Sequence, residues 1–319
     1  MASTIEMFPL TPQEVQEQFI SAEQLMRVCD QVWSADSKAE ISIERSQPRA
    51  ASSIYCKVDH LVGLFDSVRR VRDRLVLVSS ESDRPITQEF FDRCPPQIAH
   101  WFSTNIQTKN ARLSALPLGL ANSYCGITLK AHLIAVNSRP FNGREEWLYV
   151  NFRTTSNPAV REPVMHHFRM MMKNEDWLTV REAGLDFETF LGEMTSHRFA
   201  LCPPGNGVDT HRLWEALYSR TIPVAIGTSG MDAFRDLPIL FVEDFRQLTR
   251  DFLASEYDRI KSSNWNWPKL LLPWWRERIV EQCEKLKTLN AGVVPRGEFL
   301  REIAGARLAQ LTRRVSRKA

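Results

Sequence analysis

The sequence predicts an α/β protein with parallel sheets in two successive halves. Three observations carry that expectation. Strand-like and helix-like segments alternate through most of the 319 residues, which is the pattern of βαβ units. Leu75-Val76-Leu77-Val78 is a short unbroken apolar run, as suits a strand buried on both faces. A polar break, SRPFNGREE at 138–146 with Pro140 and Gly143, interrupts the alternation before it resumes, and divides the chain there.

Taken in order, Val15, Phe19, Ile20, Leu25 and Val28 recur at near-helical spacing over 11–35, so residues 1–45 are set apart as an N-terminal helical segment. Residues 36–52, polar and containing Pro48, read as a loop. Ser53–Val58 is extended, Leu61, Leu64, Phe65 and Val68 form one helix face, and the 75–78 strand closes in the polar turn SSESDRP. A helix near 87–93 and strands near 98–103 and 112–117, ending in PLGLANS, complete a first domain over 46–140. The second domain, 141–290, starts with strand Trp147–Phe152 and helices at 158–173 and 186–194. Strand RFALCP, a glycine turn, helix 210–219 and strands TIPVAI and ILFVED follow, then helices broken by NWNWP. Residues 291–319 form a basic C-terminal helix.

Composition narrows the function. Apolar residues at 43% and charged ones at 25% are the mix of a soluble globular protein. A net charge of +3 is too small to argue for a nucleic-acid partner. MASTIEMFPLTPQEVQEQF lacks a basic region followed by an apolar one, so no secretory signal is expected. No apolar stretch approaches the roughly 18 residues of a membrane span. The six cysteines, Cys29, Cys56, Cys94, Cys125, Cys202 and Cys283, are scattered without a C-x-x-C pair. They read as free thiols in a reducing, cytoplasmic compartment, and no structural metal is expected. His166-His167 lies on a helix without H-E-x-x-H and is assigned no chemistry.

The chemistry concentrates in LCPPGNGVDTHRLWEALYSRTIPVAI, 201–226. In parallel α/β sheets, ligands bind beyond the carboxyl ends of strands. A helix N-terminus there offers unpaired N–H groups and a partial positive charge, which suit phosphate, and glycines allow close backbone approach. Asp209 or Thr210 can cap the helix. Arg212 lies in its first turn, where a fork of N–H donors reaches phosphate oxygens. Glu215, three residues on and on the same side, can accept from both ribose hydroxyls. Leu213, Trp214 and Leu217 cover the side that packs on the sheet. No lysine follows the turn, so it is not a P-loop, and G-x-G-x-x-G is met at only two of three glycines. The plain alternative is a capped turn whose Arg212 and Glu215 form a surface ion pair.

The longer stretch SHRFALCPPGNGVDTHRLWEALYSRTIPVAI resembles the signature of the exostosin-like glycosyltransferases, and is similar in layout to the α1,3-fucosyltransferases. YCKVDHLVGLF, LVLVSSESD, IAHWFSTN, LPLGLAN, EWLYVNFRTTSNPAVR and LPWWRERI look like further landmarks. The resemblance implies an α/β fold of GT-B type, two facing Rossmann-like domains with a cleft between them. It implies inverting transfer from a nucleotide sugar, a uridine one before a guanosine one, to a carbohydrate or glycoconjugate acceptor, with no obligatory metal or other cofactor. By the match, Arg212 holds the diphosphate and Glu215 the ribose, while Gly205, Asn206, Gly207, Asp209, Thr210 and His211 line the turn. Arg153 and Arg161 face the diphosphate and neutralise the leaving group, against the alternative of solvated surface charge.

Inversion requires a base for the acceptor hydroxyl. Glu81-Ser82-Asp83 follows a strand of the first half, and the resembling turn often ends in Asp, so Asp83 is assigned as the base with Glu81 beside it. SSESD stands where that family often has histidine and asparagine. The rival reading is an acidic metal clamp of a GT-A transferase, although Asp-x-Asp is absent from the chain. Trp101, Asn105 and Asn122 fall in first-half loops and are assigned to the acceptor side, Trp101 either stacking on a sugar or packing in the core. The tail 296–319 carries seven basic and two acidic residues with Leu300, Ile303, Leu308 and Leu311 at amphipathic spacing. It is expected either to touch an anionic membrane surface or to pack back across the domains. A nucleotide- or carbohydrate-binding protein that has lost transfer is the other functional class.

Overall fold

The structure is a computed structural model that describes residues 9–34, 52–69, 71, 73–122 and 144–288. The expected basic helix 291–319, most of the polar break at 138–146 and Cys125 lie outside the described residues.

The N-terminal stretch is two helices and a strand rather than one helix. Helix α1, Pro12–Gln18, opens with a capping box: Thr11 accepts from the backbone of Glu14, whose carboxylate accepts from Thr11 N. Helix α2, Ala22–Val28, is capped by Ser21. Between them the backbone of Ile20 is taken by partners remote in sequence. Its N–H donates to the Tyr218 hydroxyl at 3.0 Å and its carbonyl accepts from Leu120 N at 2.8 Å, so no helical turn can use them. Strand β1, Gln31–Trp33, then pairs parallel with β2, Ser53–Lys57. This corrects the assignment of 1–45 to a separate helical segment, because β1 is part of the first sheet.

That sheet continues through β3 (Leu75–Ser80), β4 (Ile98–Ser103) and β5 (Leu113–Ala115), all parallel and in chain order. Helix α3, Leu61–Val68, buries Leu61, Leu64, Phe65 and Val68, the face expected from their spacing. Helix α4, Gln88–Phe91, is a short turn capped by Thr87. Every residue of β3 is buried, in keeping with its unbroken apolar run.

The second sheet holds β6 (Glu146–Asn151), β7 (Leu178–Arg181), β8 (His197–Leu201), β9 (Ile222–Ile226) and β10 (Leu240–Val242). Helices α5 (Pro158–Met171), α6 (Phe187–Met194) and α7 (His211–Tyr218) make the crossovers. Strand β7 has no counterpart in the sequence reading. It is four residues long, at the sheet edge, and too short to show a period. The strand order is β10-β9-β8-β6-β7, all parallel. The chain therefore adds β7 on one side of β6 and then reverses to add β8 on the other. Such a reversal opens a crevice beyond the carboxyl ends of the two strands. The described first sheet has no reversal, so the crevice belongs to the second.

The two sheets share apolar packing. Leu25, Ile54 and Leu77 from the first half join Trp214, Tyr218, Phe234 and Trp275 from the second in one core cluster. A separate cluster, with Leu148, Phe168, Phe199 and Ile260, fills the other face of the second sheet. Helix α8, Arg250–Ser262, covers that face. Helix α9, Leu272–Thr288, returns to pack against α2, β2, β3 and β4.

Gly119 shows how tightly the N-terminal segment is seated. Its φ is +69°, and a Cβ there would lie 2.1 Å from the carbonyl oxygen of Ile20. Gly119→Ala is expected to lower unfolding free energy by about 1–3 kcal/mol or more. Gly184→Ala, at φ +112° with nothing within 4 Å, carries backbone strain alone and should cost less. Urea denaturation of the two variants checks the difference, and equal losses would exclude the clash.

Candidate active site

The loops that follow β6 and β8 line the crevice. Arg161, near the start of α5, is buried at 8% exposure and ties them together. Its Nε donates to Pro204 O at 3.0 Å and its Nη2 to Pro203 O at 2.9 Å. Its Nη1 donates to Arg153 O at 2.8 Å and Ser156 Oγ at 2.6 Å. Asn157 Nδ2 adds a bond to Gly205 O at 3.0 Å. The reason is local: Pro203 and Pro204 bring buried carbonyls that need donors, yet have no N–H of their own. Arg161 was expected to face a diphosphate directly. It instead builds the turn, committing four of the five N–H donors of a guanidinium. All these acceptors are uncharged, so its positive charge stays uncompensated inside the crevice. Burial, with Arg212 nearby, holds its pKa below the usual arginine value. The Arg153 side chain is exposed at the rim.

Arg212, the second residue of α7, lies over the Phe190 ring, 4.1 Å from its centroid. Its Nη1 donates to Asn151 O, and its Nε meets Glu215 Oε2 at 3.3 Å. The Arg212–Glu215 pair therefore exists, but it is not on the surface: the Glu215 side chain is 7% exposed. Nη2 of Arg212 makes no hydrogen bond to a described residue. Thr210 is the N-cap of α7, and its side chain makes no capping bond. The first-turn N–H groups are thus left without a side-chain cap, beside two guanidinium groups.

Loops after three strands of the first sheet meet this turn. After β3, Asp83 is exposed, and its Oδ2 accepts from Asn206 Nδ2 at 3.0 Å. After β4, Asn105 accepts from Asp209 N at 3.0 Å and donates to Ser82 O at 3.1 Å. A Cβ on Gly207 would lie 2.8 Å from the Asn105 amide, so this approach requires glycine. After β5, Leu118 N donates to Asp209 Oδ2 at 2.8 Å, and Gly119 O accepts from His211 Nδ1 at 2.8 Å. The carbonyl can only accept, so His211 carries its proton on Nδ1 in this contact.

These contacts correct several assignments. Asp209 neither caps α7 through its side chain nor lines the donor surface: it is 3% exposed, and its other oxygen accepts from Trp214 Nε1 at 2.7 Å. Trp101 is fully buried, its indole N–H donating to Ser79 Oγ at 2.8 Å among Phe65, Phe90 and Phe91. It packs the core and has no face for a sugar. Asn105 and Asn122 are also buried. Asn122 accepts from Glu23 N at 3.1 Å and donates to Glu81. The Glu81 side chain, 6% exposed, is paired with Lys57 Nζ at 3.0 Å. Glu81 and Asp83 thus turn to different partners and do not form a ready pair of metal ligands. Among the described residues, no group of three or more His, Cys, Asp and Glu is placed to hold a metal.

Sequence reasoning missed Ser156, Asn157 and Lys57. Asn157-Pro158 is legible as a helix start, but nothing in its spacing links it to a turn far down the chain. The five described cysteines are free, and burial pushes the Cys202 thiol beside the turn up to about 12. No described helix is long and apolar enough to cross a membrane.

No protein-family model matches the sequence, and a search of curated proteins finds none that matches. Among solved structures, an α1,3-fucosyltransferase aligns at 14% identity and a TM-score of 0.40, over 76% of this chain and 80% of that one. A UDP-forming α,α-trehalose-phosphate synthase from Burkholderia vietnamiensis aligns at 10% identity and 0.40, over 73% and 74%. A GtfA/B complex aligns at 8% identity and 0.35, over 74% and 55%. Likeness this distant assigns neither family nor activity.

Burial raises the Asp209 carboxyl to about 7, against the opposing bonds from Leu118 N and Trp214. The folded state therefore holds this proton more tightly than the unfolded chain, whose value is near 3.9. The stability Asp209 contributes is present in full below that value and is lost as pH rises through about 7. Asp209→Asn should flatten this slope while losing one acceptor, at a cost of about 1–3 kcal/mol. Urea unfolding of both proteins at pH 5 and pH 8 checks it, and an unchanged slope in the variant would remove Asp209 as its source.

Proposed function

We propose that the chain is an inverting glycosyltransferase of GT-B type that moves a sugar from a nucleotide-sugar donor to a carbohydrate or glycoconjugate acceptor. The observation that carries this reading is the Asp83–Asn206 bond. It places a carboxylate from a strand end of one sheet against a phosphate-type turn at the switch point of the other.

The donor diphosphate sits at the N-terminus of α7, where uncapped N–H groups and the helix dipole favour an anion. Nη2 of Arg212 and the remaining N–H of Arg161 add charge-assisted donors, with Arg153 at the rim. Glu215, buried behind Arg212, accepts from the ribose hydroxyls. As the bond from the sugar's anomeric carbon to diphosphate breaks, these cationic groups stabilise the leaving nucleoside diphosphate. This supports transfer without an obligatory metal. Asn206 holds one oxygen of Asp83, and the other takes the proton of the acceptor hydroxyl as its oxygen bonds the anomeric carbon from the opposite face. A uridine nucleotide follows from the sequence resemblance, and a guanosine one belongs in the same test.

A thermal-shift screen of UDP- and GDP-sugars should find a stabilising donor. Arg212→Ala is expected to slow transfer by about 10²–10³. Asp83→Asn should slow it by about 10²–10⁴ while leaving donor affinity nearly intact. Transfer at the parental rate in Asp83→Asn would remove the base. A stabilising donor with neither transfer nor hydrolysis would make the chain a binding protein. Transfer should persist in a chelator, and loss restored by a divalent ion would move the assignment to a metal held by Glu81 and Asp83.

A further inference from the structure

A cavity of about 460 Å³ lies between the halves, lined by residues of both and close to the turn that borders the crevice. Asn105 packs on Gly207 of the turn, and the next residue, Ile106, lines the cavity. The Ile106 carbonyl meets Gly230 so closely that a Cβ there would lie 2.2 Å away. None of Asp83, Arg153, Arg161, Arg212 and Glu215 lines the cavity.

We propose that this cavity is a second saccharide site, which takes an uncharged sugar residue away from the reacting centre. Its volume falls within the range of small-ligand pockets, roughly 300–1,000 Å³. One wall is flat: the Arg278 guanidinium stacks on the half-buried Trp274 indole, 3.5 Å from its centroid. A sugar has an apolar C–H face that suits such a wall and a hydroxyl edge that needs both donors and acceptors. Asp232 supplies an acceptor carboxylate and Lys109 a donor, paired across the two halves at 2.8 Å. Ser229 and Gln282 line the cavity and make no hydrogen bond to a described residue. Lys269 also lines the cavity, and each basic side chain there has a carboxylate partner: Lys109 with Asp232, Lys269 with Asp236 at 2.7 Å and Arg278 with Glu277 at 3.1 Å. With its charges already paired, the lining favours a neutral ligand over an anion or a cation. The inference rests on the proposed function only in taking this sugar to be a distal residue of the acceptor; binding itself does not require transfer.

The test uses the full chain. Neutral oligosaccharides built from glucose, galactose, mannose and N-acetylglucosamine, with uronate-bearing ones beside them, are screened by saturation-transfer NMR. Hits are titrated by tryptophan fluorescence. At least one neutral oligosaccharide should bind. Trp274→Ala should weaken it by about tenfold or more, and so should Asp232→Asn, a milder change that keeps the shape. Urea unfolding verifies that both variants fold. Asp83→Asn should bind as the parent does, and excess UDP or GDP should not displace the sugar. No binding, binding indifferent to Trp274 and Asp232, displacement by nucleotide, or a preference for uronates would each overturn the proposal. Binding without transfer would defeat the proposed function and leave the cavity standing; transfer without binding here would do the reverse.

Discussion

Asp209 is the constraint on which the joint between the two sheets depends. Its carboxylate is buried, and its oxygens accept from Leu118 of the first half and Trp214 of α7, while its own N–H is held by Asn105. One residue thus fixes the end of the glycine turn, the start of α7 and the loops after β4 and β5. Burying a carboxylate is costly unless its lone pairs are met, so the site tolerates little displacement. The opposing Asp83–Asn206 and His211–Gly119 contacts stay in register because this anchor is stiff.

The turn itself solves a different problem. Two successive prolines give it a fixed backbone but remove two N–H donors. Arg161 and Asn157 supply donors from the loop after β6, so the two sides of the switch-point crevice become one rigid unit. The guanidinium that does this has only uncharged partners, and Arg212 shares its charge with Glu215 alone. A net positive charge is left beneath an uncapped helix N-terminus, which is the electrostatic condition for holding an anion.

Strain collects at the same place. Glu81 and Asn105, just past the ends of β3 and β4, have φ of +62° and +51°, a conformation that costs a non-glycine residue about 1–3 kcal/mol. Each is held there by its own side chain, Glu81 through Lys57 and Asn122, Asn105 through Asp209 and Ser82. Glu81 and Asn122 therefore act on the surface that Asp83 presents by fixing the path of the chain.

The parallel α/β class, eight of the ten described strands (all but β1 and β7), the buried faces of α3 and β3, and the turn before α7 all follow from the sequence, because they rest on local periodicity, apolar runs and glycine spacing. β1 and β7 did not, since three or four residues carry too little pattern, and the break between α1 and α2 did not, since Tyr218 and Leu120 impose it from far along the chain. Within the site, residue chemistry singled out Arg161, Asp209, Arg212, Glu215 and Asp83 as a group. Only the tertiary structure separated their tasks: Arg161 and Asp209 are consumed by carbonyls and amides, Trp101 by the core, Glu81 by Lys57, and Asp83 alone of the two acids reaches the turn. A side chain's type declares what it can bond, but which partner it meets is decided by burial, where each buried donor and acceptor must be satisfied by whatever the fold brings within reach.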